Sequence, residues 1–126
     1  MENFRCLIPM EPMSVWKYHR QRGKIRFISR EGKEYRDVIT LCLKHAHIDE
    51  FKATIDDVDM FELRLHFGIK FFNNNGSVKR KDVDNFLKPI IDILFDALEL
   101  DDCLVKKIVA EKDHGKFIDI NLIKIN

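Results

Sequence analysis

Between residues 61 and 71 hydrophobic and polar side chains alternate strictly, with Phe61, Leu63, Leu65, Phe67, Ile69 and Phe71 interleaved by Glu62, Arg64, His66, Gly68 and Lys70. Side chains of an extended chain point to opposite faces in turn, so this period of two predicts a strand with one wet face. Residues 104–110 and 117–125 read as two further strands joined at Asp113-His114-Gly115, whose glycine suits a hairpin turn. Residues 3–8 give a fourth strand. Helices fill the gaps. One starts between residues 31 and 35 and runs to about 47; the other spans part of 84–98, with Leu87, Ile90, Ile91, Leu94 and Leu98 as its apolar stripe. Residues 10–29 are interrupted by Pro12 and Gly23 and read as a basic loop or arm, with a short ribbon at 24–28. The order strand, helix, strand, helix, strand, strand predicts an α+β fold: a small mixed β-sheet with helices packed on one face. Its other face is left open to solvent or to a partner subunit.

Length and composition narrow the class. The 126 residues, 45% hydrophobic and 34% charged, suit one folded domain spanning 1–126. No run approaches the ~18 apolar residues of a membrane span and the amino end lacks a signal-peptide core, so no membrane partner is expected and the protein is expected to be soluble and cytoplasmic. Cys6, Cys42 and Cys103 are isolated and odd in number, which argues against both a disulfide framework and a zinc site; they are expected to be small buried hydrophobes. A net charge of +1 excludes no partner, but the charge is segregated. Lys17, Arg20, Arg22, Lys24, Arg26 and Arg30 follow one another without an acid, whereas Asp49, Glu50, Asp56, Asp57 and Asp59 face only Lys52. A second basic cluster, Lys79-Arg80-Lys81, lies between a turn-forming Asn-Asn-Asn-Gly-Ser stretch and Asp82.

Acids recur beside bases in residues 79–103, KRKDVDNFLKPIIDILFDALELDDC. A lone D-x-D is weak, because aspartate is a preferred helix N-cap and complements the helix dipole. The second pair, Asp101-Asp102, where helix gives way to strand, changes the balance, since carboxylates at two junctions can converge. Aspartate oxygens make a hard anionic site suited to Mg²⁺, with Mn²⁺ as a substitute. Beside Lys79, Arg80 and Lys81, such an ion would suit phosphodiester hydrolysis. Lys88 could neutralise charge developing on the phosphate, or form an ordinary i,i+4 salt bridge with Asp84.

That segment, with K-D-V-D-N-F-L-K-P-I-I-D-I-L-F-D-A-L followed by D-D, resembles the signature of the RusA family of crossover-junction endodeoxyribonucleases. I-P-M-E-P-M-S at residues 8–14, the basic run to Arg26, and F-I-S-R-E-G-K-E-Y-R at residues 27–36 extend the likeness over most of the chain. The resemblance implies a Mg²⁺-dependent homodimer that binds four-way (Holliday) junction DNA and makes paired nicks, in recombination and repair, inside a bacterial or phage-infected cell. It implies aspartate metal ligands at Asp82, Asp84 and Asp102, with Asp101 as the alternative, and a lysine needed for cleavage at Lys88.

Geometry sets a condition on that site. An unbroken helix over residues 84–97 would be about 20 Å long at ~1.5 Å per residue. The five residues that follow return at most roughly 17 Å. Convergence within one subunit needs a shorter helix. Pro89 lacks an N–H and fits only a first turn, which predicts regular helix from residues 87–89 onward. Otherwise the site forms across a dimer.

Lys17, Arg20, Arg22, Lys24, Arg26 and Lys79 to Lys81 are the expected phosphate contacts, with Trp16, Tyr18 and His19 available to stack on unpaired bases. Phe71 lies on the apolar face of its strand, so Phe72 is the better candidate for a wedge between base pairs. His45 and His47 point apart on a helix, and His66 and His114 read as surface residues. The alternative function is a junction-binding module of the same fold that does not cut. A pure binder has little use for this acid set, because carboxylates repel phosphate. A phosphatase or flap nuclease would share the site but would not need the basic arm.

Overall fold

A computed structural model describes residues 2–78 and 82–125. Its element order is β1 (Asn3–Ile8), α1 (Val15–Tyr18), β2 (His19–Arg22), β3 (Ile25–Ile28), α2 (Arg30–His45), α3 (Ile48–Lys52), β4 (Met60–Ile69), α4 (Leu87–Leu98), β5 (Val105–His114) and β6 (Phe117–Ile125). Two 3-10 turns, Val83–Phe86 and Asp102–Leu104, precede α4 and β5. The α+β class and the mixed sheet agree with the alternation and helical periods in the sequence. The basic arm is more ordered than its composition predicts: it holds α1 and a two-stranded antiparallel ribbon of β2 and β3.

The main sheet has the order β1-β6-β4-β5. Phe61, Leu63, Leu65, Phe67 and Ile69 of β4 are each 2% exposed or less and meet Phe4, Cys6, Ile8, Ile118, Ile120 and Leu122 from β1 and β6 on the same face. That face is covered by Tyr35, Ile39 and Leu43 of α2 and by Ile90, Ile93, Leu94 and Leu98 of α4. Burying each such side chain contributes roughly 1.5–3 kcal/mol relative to leaving it exposed. On α4 the buried face is broader than a single stripe: it includes Ile93 and Phe95, while Leu87 and Ile91 pack at its margin. Of the cysteines only Cys6 is buried; Cys103 is exposed, because it lies in the 3-10 turn before β5 and not in a strand.

The expected hairpin of the last two strands is replaced by a different arrangement. β5 and β6 do not pair with each other; β4 lies between them, parallel to β5 and antiparallel to β6. The chain passes over the end of β4 at residues 115–116, where the Gly115 amide donates to the Ile69 carbonyl at 3.0 Å. Gly68 makes the crossing possible. A Cβ there would stand 2.3 Å from the Phe117 ring and 2.8 Å from the Lys116 backbone nitrogen. A sequence-level hairpin signal cannot distinguish this route, because turn chemistry does not reveal which strand is inserted between the two. Gly68→Ala is therefore expected to destabilise the protein by about 2 kcal/mol, in the range of overpacking. Urea unfolding checks this, and Gly68→Ala/Phe117→Ala should recover only the part of the loss due to the ring, since the backbone clash persists.

Candidate active site

Phe72 and Val78 form an isolated antiparallel bridge that closes the Asn-Asn-Asn-Gly-Ser loop, with Asn73 N–H donating to the Ser77 carbonyl at 2.8 Å. Phe72 is 50% exposed, whereas Phe71 packs against the core, as the strand's alternation implies. Lys79, Arg80 and Lys81 lie outside the described residues. Asp82 then takes an extended conformation at the mouth of the first 3-10 turn, and its backbone carbonyl accepts from the Asn85 amide at 3.1 Å. Its side chain makes no cap hydrogen bond. The ordinary explanation of this aspartate as an N-cap therefore fails. Asp82 and Asp84 both present exposed carboxylates.

Regular helix begins at Leu87, with Pro89 in its first turn, so α4 is 12 residues and about 18 Å long. A left-handed Glu99 (φ 56°) ends it, and the chain turns toward the second 3-10 turn. The two aspartates there differ. Asp101 Oδ1 accepts from the Cys103 amide at 2.8 Å, a capping bond that holds its carboxyl below the usual range. Asp102 is exposed and supplies no side-chain cap to this turn.

Lys88 does not pair with Asp84, which sits in the 3-10 turn and not one α-helical turn away. Its ammonium donates to Asp92 at 2.9 Å, farther along α4. That bond raises the Lys88 pKa; the charge of Asp102 adds to the rise and Arg26 opposes it. Lys88 thus lies near the start of α4, paired with Asp92 and in the field of Asp102 from the same chain.

The ribbon approaches this end of α4. Ser29, the N-cap of α2, accepts from the Gly32 amide at 2.9 Å and donates to the Lys17 carbonyl at 2.7 Å, fastening the ribbon's root to the helix start. Arg20, Arg22, Lys24 and Arg26 are exposed on it, and Lys17 is exposed on α1. Trp16 is 75% exposed, but Tyr18 is 2% exposed and packs edge-on against Tyr35, so it is core and not a stacking platform. A cleft of about 670 Å³ borders Trp16, Asn85 and Phe86 but is also lined by Glu11, Glu31 and Glu34, an unfavourable wall for phosphate.

Within the described residues, one group of three potential ligands brings its atoms within 4.8 Å of one another: His66, Glu111 and Asp113. Asp82, Asp84 and Asp102 are not drawn together to that degree; they are distributed beside α4. As donors they remain uncapped, hard and exposed, which fits a Mg²⁺-type ion. The His66 cluster could not be found from the sequence, because it depends on the parallel pairing of β4 with β5.

An α+β layer fold that sets uncapped carboxylates, a charged lysine and an arginine-rich ribbon around one helix has the equipment of an enzyme acting on phosphodiesters. The family model for Endodeoxyribonuclease RusA matches residues 9–123, and the chain belongs to that family of endodeoxyribonucleases. A relative is the crossover junction endodeoxyribonuclease rusA of Enterobacteria phage HK97, 29% identical over 97 residues, which cover 77% of this chain and 71% of that protein.

Arg26 Nη2 lies 3.2 Å from His19 Nδ1, and a guanidinium can only donate, so His19 accepts there and is neutral. Burial is the main cause that lowers the His19 pKa below 6.5, and Arg26 lowers it further. Because the folded pKa is depressed, the stability linked to neutral His19 is fully present above pH 6.5 and is lost as pH falls through the folded value. An NMR titration should place His19 below 6.5 in the wild type and higher in Arg26→Ala; an unchanged value would refute the contact.

Proposed function

We propose that this protein is a Mg²⁺-dependent endonuclease that resolves four-way DNA junctions by paired nicks, acting in recombination and repair as a homodimer of one domain spanning residues 1–126. The observation that carries the reading is the pair of exposed carboxylates Asp82 and Asp84 at the 3-10 turn that leads into α4 and Lys88, the Asp82 side chain making no cap hydrogen bond, inside the stretch matched to the family. Asp82, Asp84 and Asp102 are the residues that would hold the ion, with Mn²⁺ as a substitute. Asp102 is favoured over Asp101 because the latter spends an oxygen on the Cys103 amide. When bound, a divalent ion polarises a phosphodiester oxygen and lowers the pKa of water.

The chain's own residues supply the rest. Lys88, kept protonated by Asp92, is available to donate to a phosphate oxygen as negative charge grows there. Lys17, Arg20, Arg22, Lys24 and Arg26, together with Lys79, Arg80 and Lys81, offer phosphate contacts that orient the junction arms. Trp16 is open for stacking on an unpaired base, and Phe72 is open to act as a wedge. Two copies would give the two nicks.

The test is cleavage of a synthetic four-way junction against linear duplex, with Mg²⁺ or EDTA. Symmetric nicks confined to the junction, absent with EDTA and absent in Asp84→Asn while binding persists, are expected; cleavage that survives either treatment would sink the reading. Lys88→Ala should lower the cleavage rate roughly 10²–10³-fold, as removal of a charge-stabilising donor does. The proposed site lies within one subunit, a reading supported by the field of the same chain's Asp102 at Lys88. Mixing Asp84→Asn with Asp102→Asn protein is then expected to restore no cleavage, and recovery would mean a shared site. Removing Arg20 and Arg22 together should weaken junction binding and reduce its log–log salt slope by about 2.

A further inference from the structure

The sheet face turned away from the helices holds a second set of ligating groups. Along β4 Phe67 points into the core, its ring 5.5 Å from Phe86 of the turn that carries Asp84. His66, the adjacent residue, points the other way. In the parallel register with β5 His66 lies opposite Glu111, and its Nε2 pairs with the Asp113 carboxylate two residues further on. The ligand atoms of the three lie within 4.8 Å of one another.

The imidazole is held in place. Phe117 stands edge-on to it with ring centroids 5.0 Å apart, and Phe117 occupies the space that Gly68 leaves free. The adjoining groove, about 270 Å³, is bordered by His66, Glu111, Asp119 and Asn121 and by Arg5 and Arg64, whose guanidinium groups pair with Asp119 and Glu62. Asn121 Oδ1 is buried there without a hydrogen-bond partner. Asp119 is engaged by Arg5 at 2.9 Å, so Glu111 and Asp113 are the carboxylates available to His66.

We infer that His66, Glu111 and Asp113 form a binding site for a divalent transition ion of the Zn²⁺ type, on the opposite face of the sheet from the proposed catalytic centre. One imidazole nitrogen and two carboxylates are a borderline donor set that favours Zn²⁺ over Mg²⁺, which prefers oxygen alone. Bonds of ~2.0–2.2 Å require ligand atoms roughly 3.4 Å apart in a tetrahedron, so a closing movement of about an ångström suffices. The ion would replace the His66–Asp113 bond and leave a position for water. It would also clip β5, an edge strand joined to the sheet only through β4, at the end opposite Asp102.

This inference does not rest on the nuclease reading and is tested apart from it. Protein stripped with chelator and carrying Asp82→Asn/Asp84→Asn is titrated with Zn²⁺ by calorimetry, with thermal unfolding in parallel. One Zn²⁺ per chain and a Zn²⁺-dependent rise in Tm are expected, both resistant to excess Mg²⁺. His66→Gln and Glu111→Gln should each weaken binding roughly tenfold or more and abolish the rise. Their metal-free Tm values show whether either variant is misfolded. Zn²⁺ binding that is absent, lost with the two aspartates, or undiminished in folded His66→Gln and Glu111→Gln would overturn the site.

Discussion

Everything in this fold depends on satisfying both edges of β4. Its core-facing side chains are at most 2% exposed, so the backbone between them is out of reach of water. A buried amide or carbonyl left unpaired costs about 1–3 kcal/mol. β6 serves one edge and β5 the other. Because β5 runs parallel to β4, the two need a long crossover, and the crossover is α4. Because β6 follows β5 after only two residues yet lies on the far side of β4, the chain must cross the strand end at Gly68. One pairing requirement thus determines the route of half the chain.

The same requirement positions the candidate site. The crossover begins with Asp82, Asp84 and Lys88 and ends with Asp101 and Asp102, so its two junctions carry both acid sets. Breaking the first turn into a 3-10 segment shortens the regular helix. Pro89 is comfortable there because its missing N–H falls among donors that have no partner within a helix. Lys88, at the start of that helix, is tied at 2.9 Å to Asp92 and lies within the field of Asp102. Side-chain caps also separate the aspartates: Asp101 uses its carboxylate to hold the turn, whereas Asp82 does not.

The elements whose period is local were legible in the sequence. The alternation of residues 61–71, the stripe of α4 and the effect of Pro89 depend on neighbours a few positions away, and the structure follows them. Lys88 was legible as a candidate but not in its partner, since an i,i+4 bridge to Asp84 presumes a helix that the 3-10 turn replaces. Tyr18 was misread as available because a basic, proline- and glycine-interrupted segment gives no sign that its aromatic ring closes the core beside Tyr35. The insertion of β4 between β5 and β6 was hidden for a deeper reason. Strand order is a non-local property, and a glycine turn between two apolar runs is compatible with either arrangement. The His66, Glu111 and Asp113 cluster was hidden with it.

Charge distribution links these parts. A net charge of +1 conceals an exposed cationic ribbon on one element and carboxylates grouped elsewhere. Arg20, Arg22, Lys24 and Arg26 of the two-stranded ribbon are exposed to solvent, where a polyanion can reach them. Acids beside α4 lie close to the ribbon's root, where Arg26 and His19 come within electrostatic reach of Lys88 and Asp92. Under the proposed function, a phosphate backbone drawn to the ribbon would meet carboxylates that repel it in the absence of a cation. Lys88 would partly offset that repulsion, and a divalent ion held by hard oxygens would offset the rest. On the proposed reading, attraction on the ribbon and repulsion at its root would make productive approach of DNA conditional on metal, which would give a physical reason for placing the two charge sets side by side.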